Sequence, residues 1–149
     1  MPELVFKPIG IVRNEVKEPM QGGWGEVTSE IVFEESLAES LEGVEEFSHI
    51  IVVFWMHKVP AMERPVGKIH PRGRADLPLV GLFATRSPYR PNPVGVSTAR
   101  LVERKGNVLK VEGLDAIDGT PVIDIKPYFP PRAVSPDNLQ MPDWVKRAR

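Results

Sequence analysis

The proline-rich stretch GLFATRSPYRPNPVGVS at residues 81–97 leaves the backbone of this chain few choices. Three prolines fall within six residues, namely Pro88, Pro91 and Pro93. Each proline fixes its own φ and pushes the residue before it towards extended geometry. Arg86 and Arg90 are therefore carried on a stiff loop, which suits planar recognition of a carboxylate, a phosphate or a purine. An ordinary proline-rich connection with solvated arginines is the alternative, because prolines punctuate loops everywhere.

Two apolar runs flank this stiff loop. The run from Leu79 to Ala84 is short enough to predict a buried strand. Gly95 opens the second run, and its missing Cβ lets another backbone or a ligand come close.

The rest of the chain alternates short apolar runs with turn signals, which is typical of a β protein. The central strand is predicted at Ser48 to Met56, and the start of the chain, Leu4 to Val16, reads as one or two more strands. Ser36 and Glu39 match a capping box and predict the clearest helix, which Gly43 ends. Asp118-Gly119 is a strong hairpin signal because both residues tolerate positive φ. We therefore predict a mainly β fold, an antiparallel barrel with one short helix.

Composition narrows the class of protein. The 149 residues predict a single domain, with a core at 4–130 and a tail at 131–149. The absence of cysteine removes disulfides, thiolate metal sites and cysteine nucleophiles together. No apolar run approaches the roughly 20 residues of a membrane span, and the N-terminus does not resemble a signal peptide, so we expect a cytoplasmic protein.

Charge is distributed unevenly along the chain, although the net charge is −1. Residues 30–46 hold seven glutamates and no lysine or arginine, whereas residues 57–104 hold nine basic residues against three acids. A basic surface that meets a polyanion is one interpretation, and two ordinary solvated faces are the other. His49, His57 and His70 show no metal-ligand spacing, so no metal is predicted.

Three stretches together resemble one family, the TsaA-like proteins. They are the proline-rich stretch at 81–97, the segment LDAIDGTPVIDIKPY at 114–128, and LEGVEEFSH at 41–49 with its strand to His57. The similarity covers nearly all of residues 4–130, and the string Thr-Arg-Ser-x-x-Arg-Pro-Asn-Pro is highly specific.

This resemblance implies an S-adenosylmethionine-dependent tRNA methyltransferase on a β-barrel. Family members methylate N6 of threonylcarbamoyladenosine at tRNA position 37, beside the anticodon, and are homodimers. Carried over to this sequence, their cofactor pocket falls on these residues: Pro19, Met20, Gln21, His57, Lys58, Arg86, Val96, Asp115, Ala116, Ile117 and Asp118. Met20 stands where the family usually has an arginine. Longer bacterial members also carry a C-terminal domain, which we do not expect in this chain.

The chemistry of the reaction adds a second set of predictions. A proton must leave the exocyclic amine during or after methyl transfer, and a carboxylate is a reasonable acceptor. We predict Asp118 in that role, with Tyr128 orienting it. Basic side chains on two loops would face RNA phosphates. They are Arg90 on the proline-rich loop, and Lys68, Arg72 and Arg74 on a basic loop at 58–74.

Two other functions remain open at this point. A non-catalytic RNA-binding barrel would use the same basic surface without a cofactor, but it would gain nothing from Asp115 and Asp118. A methyltransferase of the same fold that acts on a small metabolite is the second alternative. The basic loop at 58–74 argues weakly against it, because a basic loop favours a polyanionic substrate.

Overall fold

The computed structural model describes residues 1–61, 66–132 and 135–148. Within these residues the chain groups into two compact units, one formed by residues 1–58 and 94–128 and the other by residues 59–93 and 129–149. The prediction of a single domain stays a prediction.

Six strands of the first unit close into an antiparallel barrel, which confirms the predicted fold class. They are β1 (Gly10–Arg13), β2 (Thr28–Phe33), β3 (His49–Trp55), β6 (Val94–Lys105), β7 (Val108–Glu112) and β8 (Pro121–Pro127). Around the barrel the order is β1-β2-β7-β6-β3-β8, and β8 returns to β1. The closure leaves no free edge, and the turn at Gly106 joins β6 to β7.

Alternate residues of the strands fill the barrel with apolar side chains. Residues of β3 show the alternation, since Ile50, Val52 and Phe54 are buried while their neighbours are half-exposed. Other fully buried members of this core are Val12, Ile31, Leu109, Val111, Leu114 and Val122. Each such side chain contributes about 1.5–3 kcal/mol of transfer free energy.

The second unit contains short elements. Strand β4 (Lys68–Ile69) pairs antiparallel with β5 (Val80–Gly81). Single 3₁₀ turns lie at Pro71–Gly73, Leu82–Ala84 and Pro136–Asn138, and α1 (Trp144–Arg147) is a single helical turn in the tail. None of the helices among the described residues is long and apolar enough to cross a membrane.

Several local predictions are wrong. Leu4 to Phe6 forms no strand and is exposed, and only Val80 and Gly81 of the apolar run at 79–84 are in a strand. The helix predicted from the capping box is a 3₁₀ helix, Glu35–Leu41, which begins before Ser36 and has no side-chain cap. Gly43, with φ of 92°, follows its end as predicted.

The Asp118-Gly119 signal marks a turn but joins no hairpin. Its flanking strands β7 and β8 do not pair with each other, because β8 pairs with β1 and β3. Gly119 has φ of 80°, so the local backbone chemistry is as expected, while the partner of the strand is set by the closed barrel.

Candidate functional site

In the segment 115–118 between β7 and β8, the two middle residues are buried and the two end residues are more exposed. Ala116 and Ile117 are buried, and the buried hydroxyl of Thr120 donates to the carbonyl of Ile117 at 2.7 Å. Asp115 is exposed and forms no hydrogen bond or ion pair within the described part of the chain. The two carboxylates of this segment are thus the side chains available to a ligand.

Asp118 is held by two donors from the residues that follow β1. The backbone N–H of Asn14 donates to Oδ1 at 3.0 Å, and Nζ of Lys17 donates to Oδ2 at 2.9 Å. The hydrogen bond from Lys17 is the main cause that lowers the pKa of Asp118, followed by the bond from Asn14. The carboxyl group is therefore ionised at neutral pH and fixed in orientation.

The loop that begins at Lys17 supplies the predicted Pro19, Met20 and Gln21, all of which are exposed. Gly22 and Gly23 follow with positive φ, and a Cβ built on either would meet nothing within 4 Å. The side of the loop that these two glycines face is therefore not covered by other described residues.

Lys58 connects the end of β3 to this loop. Its Nζ donates to the carbonyl of Lys17 at 2.8 Å and to Oε1 of Glu18 at 3.1 Å. Lys58 therefore fixes the beginning of the loop in the structure, and its predicted contact with the cofactor stays a prediction.

His57 lies against the turn that follows Asp118. A Cβ built on Gly119 would be 3.8 Å from Nε2 of His57. Partial burial, and to a smaller extent the charge of Lys58, lowers the pKa of His57 below 6.5. The imidazole is therefore neutral at pH 7. Asp118, Lys17, Lys58 and His57 are thus brought together at one end of the barrel.

The neutral state of His57 gives a pH prediction. An NMR titration of the imidazole should report a pKa below the ordinary 6.5, so this group opposes folding as the pH falls from about 6.5 towards its folded pKa. Lys58→Met removes the smaller of the two causes, and we expect it to raise the pKa of His57 only part of the way. A pKa at or above 6.5 in the unsubstituted protein would contradict this placement of His57.

Tyr128 is wrongly predicted as the residue that orients Asp118 within one chain. Strand β8 lies between them, and seven strand residues span about 20 Å at 3.3 Å each. Tyr128 pairs instead with His49, whose carbonyl accepts from its N–H at 3.1 Å and whose ring it meets edge-on at 6.4 Å. Tyr128 and Asp118 are therefore at opposite ends of the barrel.

Val96 lies on the outer face of the barrel opposite Val53 of the neighbouring strand, and 69% of it is exposed. Its predicted contact with the cofactor stays a prediction.

In the second unit, the stiff loop is braced by its own side chains. Nη1 of Arg90 donates to the carbonyls of Thr85 and Ser87 at 2.9 and 3.2 Å, and the guanidinium lies 5.5 Å from the ring centre of Phe83. Arg86 is exposed and forms no hydrogen bond or ion pair within the described residues. Arg90 thus stabilises the loop that carries Arg86. The sequence analysis assigned Arg90 to RNA and did not predict these contacts within the loop.

The four predicted RNA contacts separate into two kinds. Arg74 forms an ion pair with Asp76 and donates to the carbonyl of Arg147 at 2.6 Å, so it is engaged inside the second unit as Arg90 is. Lys68 and Arg72 are exposed and make no such bonds to described residues. The cations available to a polyanion on this unit are therefore fewer than the sequence predicts.

Sequence reasoning missed Asn14 and Lys17 as site residues. Nothing in the local pattern singles them out, because their partners lie about a hundred residues further along the chain. Among the described residues, no group of three or more histidines and acids is close enough to hold a metal ion.

Comparison with known proteins places the chain among relatives. The family model of the tRNA-methyltransferase O N-terminal domain matches residues 11–132. A protein of Methanothermobacter thermautotrophicus named "Probable S-adenosyl-L-methionine-binding protein" is 46% identical over 132 residues, which are 85% of this chain and 91% of the relative. The Escherichia coli tRNA (adenine(37)-N6)-methyltransferase is 37% identical, over 92% of this chain and 63% of the enzyme.

A solved structure agrees with the fold. The crystal structure of TrmO from Pseudomonas aeruginosa matches 91% of this chain with a TM-score of 0.70 and 31% identity. This chain spans 60% of the length of that protein.

Proposed function

The chain belongs to the family of the tRNA-methyltransferase O N-terminal domain, and we propose from this membership that it is an S-adenosylmethionine-dependent tRNA methyltransferase. The observation that carries the proposal is the fixed, ionised carboxylate of Asp118 beside the open loop at 18–23, inside the region that the family model matches. The names of the relatives supply the cofactor and the tRNA substrate.

The residues of the first unit fit a cationic cofactor. S-adenosylmethionine supplies, when bound, a methyl group on a positively charged sulfur. Asp115, which is exposed and without an ionic partner among described residues, and the ionised Asp118 would attract that charge. Gly22 and Gly23 leave open space for an approaching ligand, and His57 offers a neutral ring.

Asp118 has the capacity to accept the proton that the substrate amine releases. A carboxylate offers about four lone-pair sites, and Asn14 and Lys17 occupy one on each oxygen. The low pKa of the group is no obstacle, because the exocyclic amine of a purine, whose lone pair is delocalised into the ring, is far more acidic than a carboxylic acid after it has gained a methyl group and until its proton leaves. Asp118 would accept that proton and remain in place through its two donors.

The finer proposal concerns the substrate nucleoside. We propose N6 of threonylcarbamoyladenosine at tRNA position 37, which adds a threonylcarbamoyl group to the adenine 37 that the Escherichia coli relative is named for. That group carries a carboxylate of its own, and an exposed arginine without an internal partner, such as Arg86, suits its recognition. Lys68 and Arg72 of the same unit would bind RNA phosphates, and such a substrate implies a cytoplasmic location.

We also propose a homodimer. The outer face of β3 and β6 carries Ile51, Val53 and Val96, and Val96 is 69% exposed. A second copy would remove this apolar surface from water. Val96→Glu is expected to convert the dimer to a monomer in sedimentation velocity, because a glutamate buried in an apolar interface lacks a partner. A monomeric unsubstituted protein, or a Val96→Glu variant that stays dimeric, would contradict this interface.

Methyl transfer to defined tRNA tests the proposed function. The protein is incubated with S-adenosylmethionine and with tRNA that carries either threonylcarbamoyladenosine or plain adenosine at position 37, and the nucleosides are analysed by mass spectrometry. We expect one added methyl group on the threonylcarbamoylated nucleoside alone. Methylation of plain adenosine would overturn the finer substrate, and no methylated tRNA would leave a small-molecule methyltransferase or a non-catalytic RNA binder as the better account.

A further inference from the structure

Asn14, directly after β1, binds two other segments and its own turn through its side-chain amide. Its Nδ2 donates to Oγ of Ser29 at 2.9 Å and to the carbonyl of Ala116 at 2.8 Å, and its Oδ1 accepts from the N–H of Val16 at 2.9 Å. Ser29 is only 1% exposed, so its hydroxyl depends on a protein partner.

These bonds belong to a larger link between two distant segments. The backbone N–H of Asn14 and the ammonium of Lys17 donate to the carboxylate of Asp118, and the N–H of Asp118 donates to the carbonyl of Val16 at 2.7 Å. With the bond to Ala116, four hydrogen bonds join residues 14–17 to residues 116–118. Two segments a hundred residues apart in the chain are therefore fixed to one another.

The segments so joined are the two loops to which the cofactor is assigned. Residues 14–17 lead into the exposed loop with Pro19 to Gln21, and residues 116–118 follow Asp115 and end in Asp118, the two carboxylates assigned to the cofactor. Lys58 ties the end of β3 to the same point through the carbonyl of Lys17. Asn14 contacts both loops and the barrel wall at Ser29 through one side chain.

We propose that Asn14 is a positioning residue that holds these two loops in the mutual arrangement required for cofactor binding. The inference rests on the proposed function for the identity of the ligand. It assigns Asn14 no contact with the cofactor. An amide is needed because the position requires two donated hydrogen bonds and one accepted bond, a combination that asparagine supplies within this short reach.

Asn14→Ala tests the proposal by two readouts. Hydrogen exchange at the amides of residues 16–18 and 116–120 should accelerate at least about tenfold without any ligand, because the side-chain bonds of Asn14 to Ala116, Val16 and Ser29 are lost and the three remaining bonds of the link lose that support. The Kd for S-adenosylmethionine should rise at least about tenfold, since the loops lose their fixed arrangement, while kcat at saturating cofactor falls much less.

Asn107→Ala is the matched control. Asn107 also donates from Nδ2 to a backbone carbonyl, that of Phe33 at 2.7 Å, but at the other end of β2. We expect a comparable loss of Tm in both variants and an unchanged Kd in Asn107→Ala. Unchanged exchange at 116–120 in Asn14→Ala overturns the link, and an equal rise of Kd in both variants reduces Asn14 to a general contributor to stability. Failure of the unsubstituted protein to bind the cofactor would overturn the proposed function instead, and the exchange data would still decide whether Asn14 couples the loops.

Discussion

Asp118→Asn is expected to lower kcat for methyl transfer to tRNA by about 10²- to 10⁴-fold, the usual contribution of a positioned proton acceptor. The substitution preserves the size of the side chain and its acceptor for the N–H of Asn14, which lies 3.0 Å from Oδ1. It removes the negative charge that pairs with Lys17 and that would accept the proton. The measurement is single-turnover transfer from labelled S-adenosylmethionine, together with circular dichroism to show that the fold is kept.

Asp124→Asn is the control for that experiment. Asp124 forms the same kind of exposed ion pair, with Lys126 at 3.1 Å, on the outer face of β8. We expect its activity to stay within about twofold of the unsubstituted protein, because an exposed pair contributes about 0–1 kcal/mol. Wild-type activity in Asp118→Asn would exclude Asp118 as the proton acceptor.

Gly95→Ala should cause a large loss of stability for the addition of a single methyl group. Gly95 on β6 faces Phe54 on β3, and a Cβ built on Gly95 would overlap the ring atoms of Phe54. Phe54 is 3% exposed and packed in the barrel core, so the ring cannot move aside without displacing its neighbours. Overpacking of this kind costs about 1–3 kcal/mol, or roughly 2–12 °C of Tm, measured by calorimetry.

Gly81→Ala and Phe54→Leu separate this effect from a general glycine effect. A Cβ on Gly81 would meet nothing within 4 Å, and its φ of −57° suits any residue, so we expect a change within about 0.5 kcal/mol. Phe54→Leu replaces the ring with a shorter side chain. Combined with Gly95→Ala, it should lower the free energy of unfolding by less than the sum of the two single changes. Strict additivity would mean that the two residues do not compete for space.

The barrel was predictable because its strands carry their own pattern. Buried residues alternate with more exposed ones in β3 and β7. Gly106 marks the tight turn between β6 and β7. The apolar run at 79–84 misled the prediction, since Leu79 and Phe83 are 54% and 76% exposed. Hydropathy alone does not tell a strand from an apolar loop.

Residues of the candidate site were predictable from the sequence only where they lie in a recognisable motif. Asp118 was found through its motif and its chemistry, whereas the residues that hold it, Asn14 and Lys17, are ordinary residues made important by the closure of the barrel. Tyr128 was misassigned for the same reason. Ten residues separate it from Asp118 in the sequence, but an extended strand turns that short separation into the length of the barrel. Contacts that depend on strand direction and pairing cannot be inferred from local spacing.

Isothermal titration of the purified protein with S-adenosylmethionine tests the central claim most directly. We predict one site per chain with a Kd in the micromolar range, weakened in Asp115→Ala, a variant that removes an exposed carboxylate without internal bonds to described residues. Absence of heat and of any competition by S-adenosylhomocysteine, with or without tRNA, would contradict the methyltransferase account and leave an RNA-binding barrel in its place.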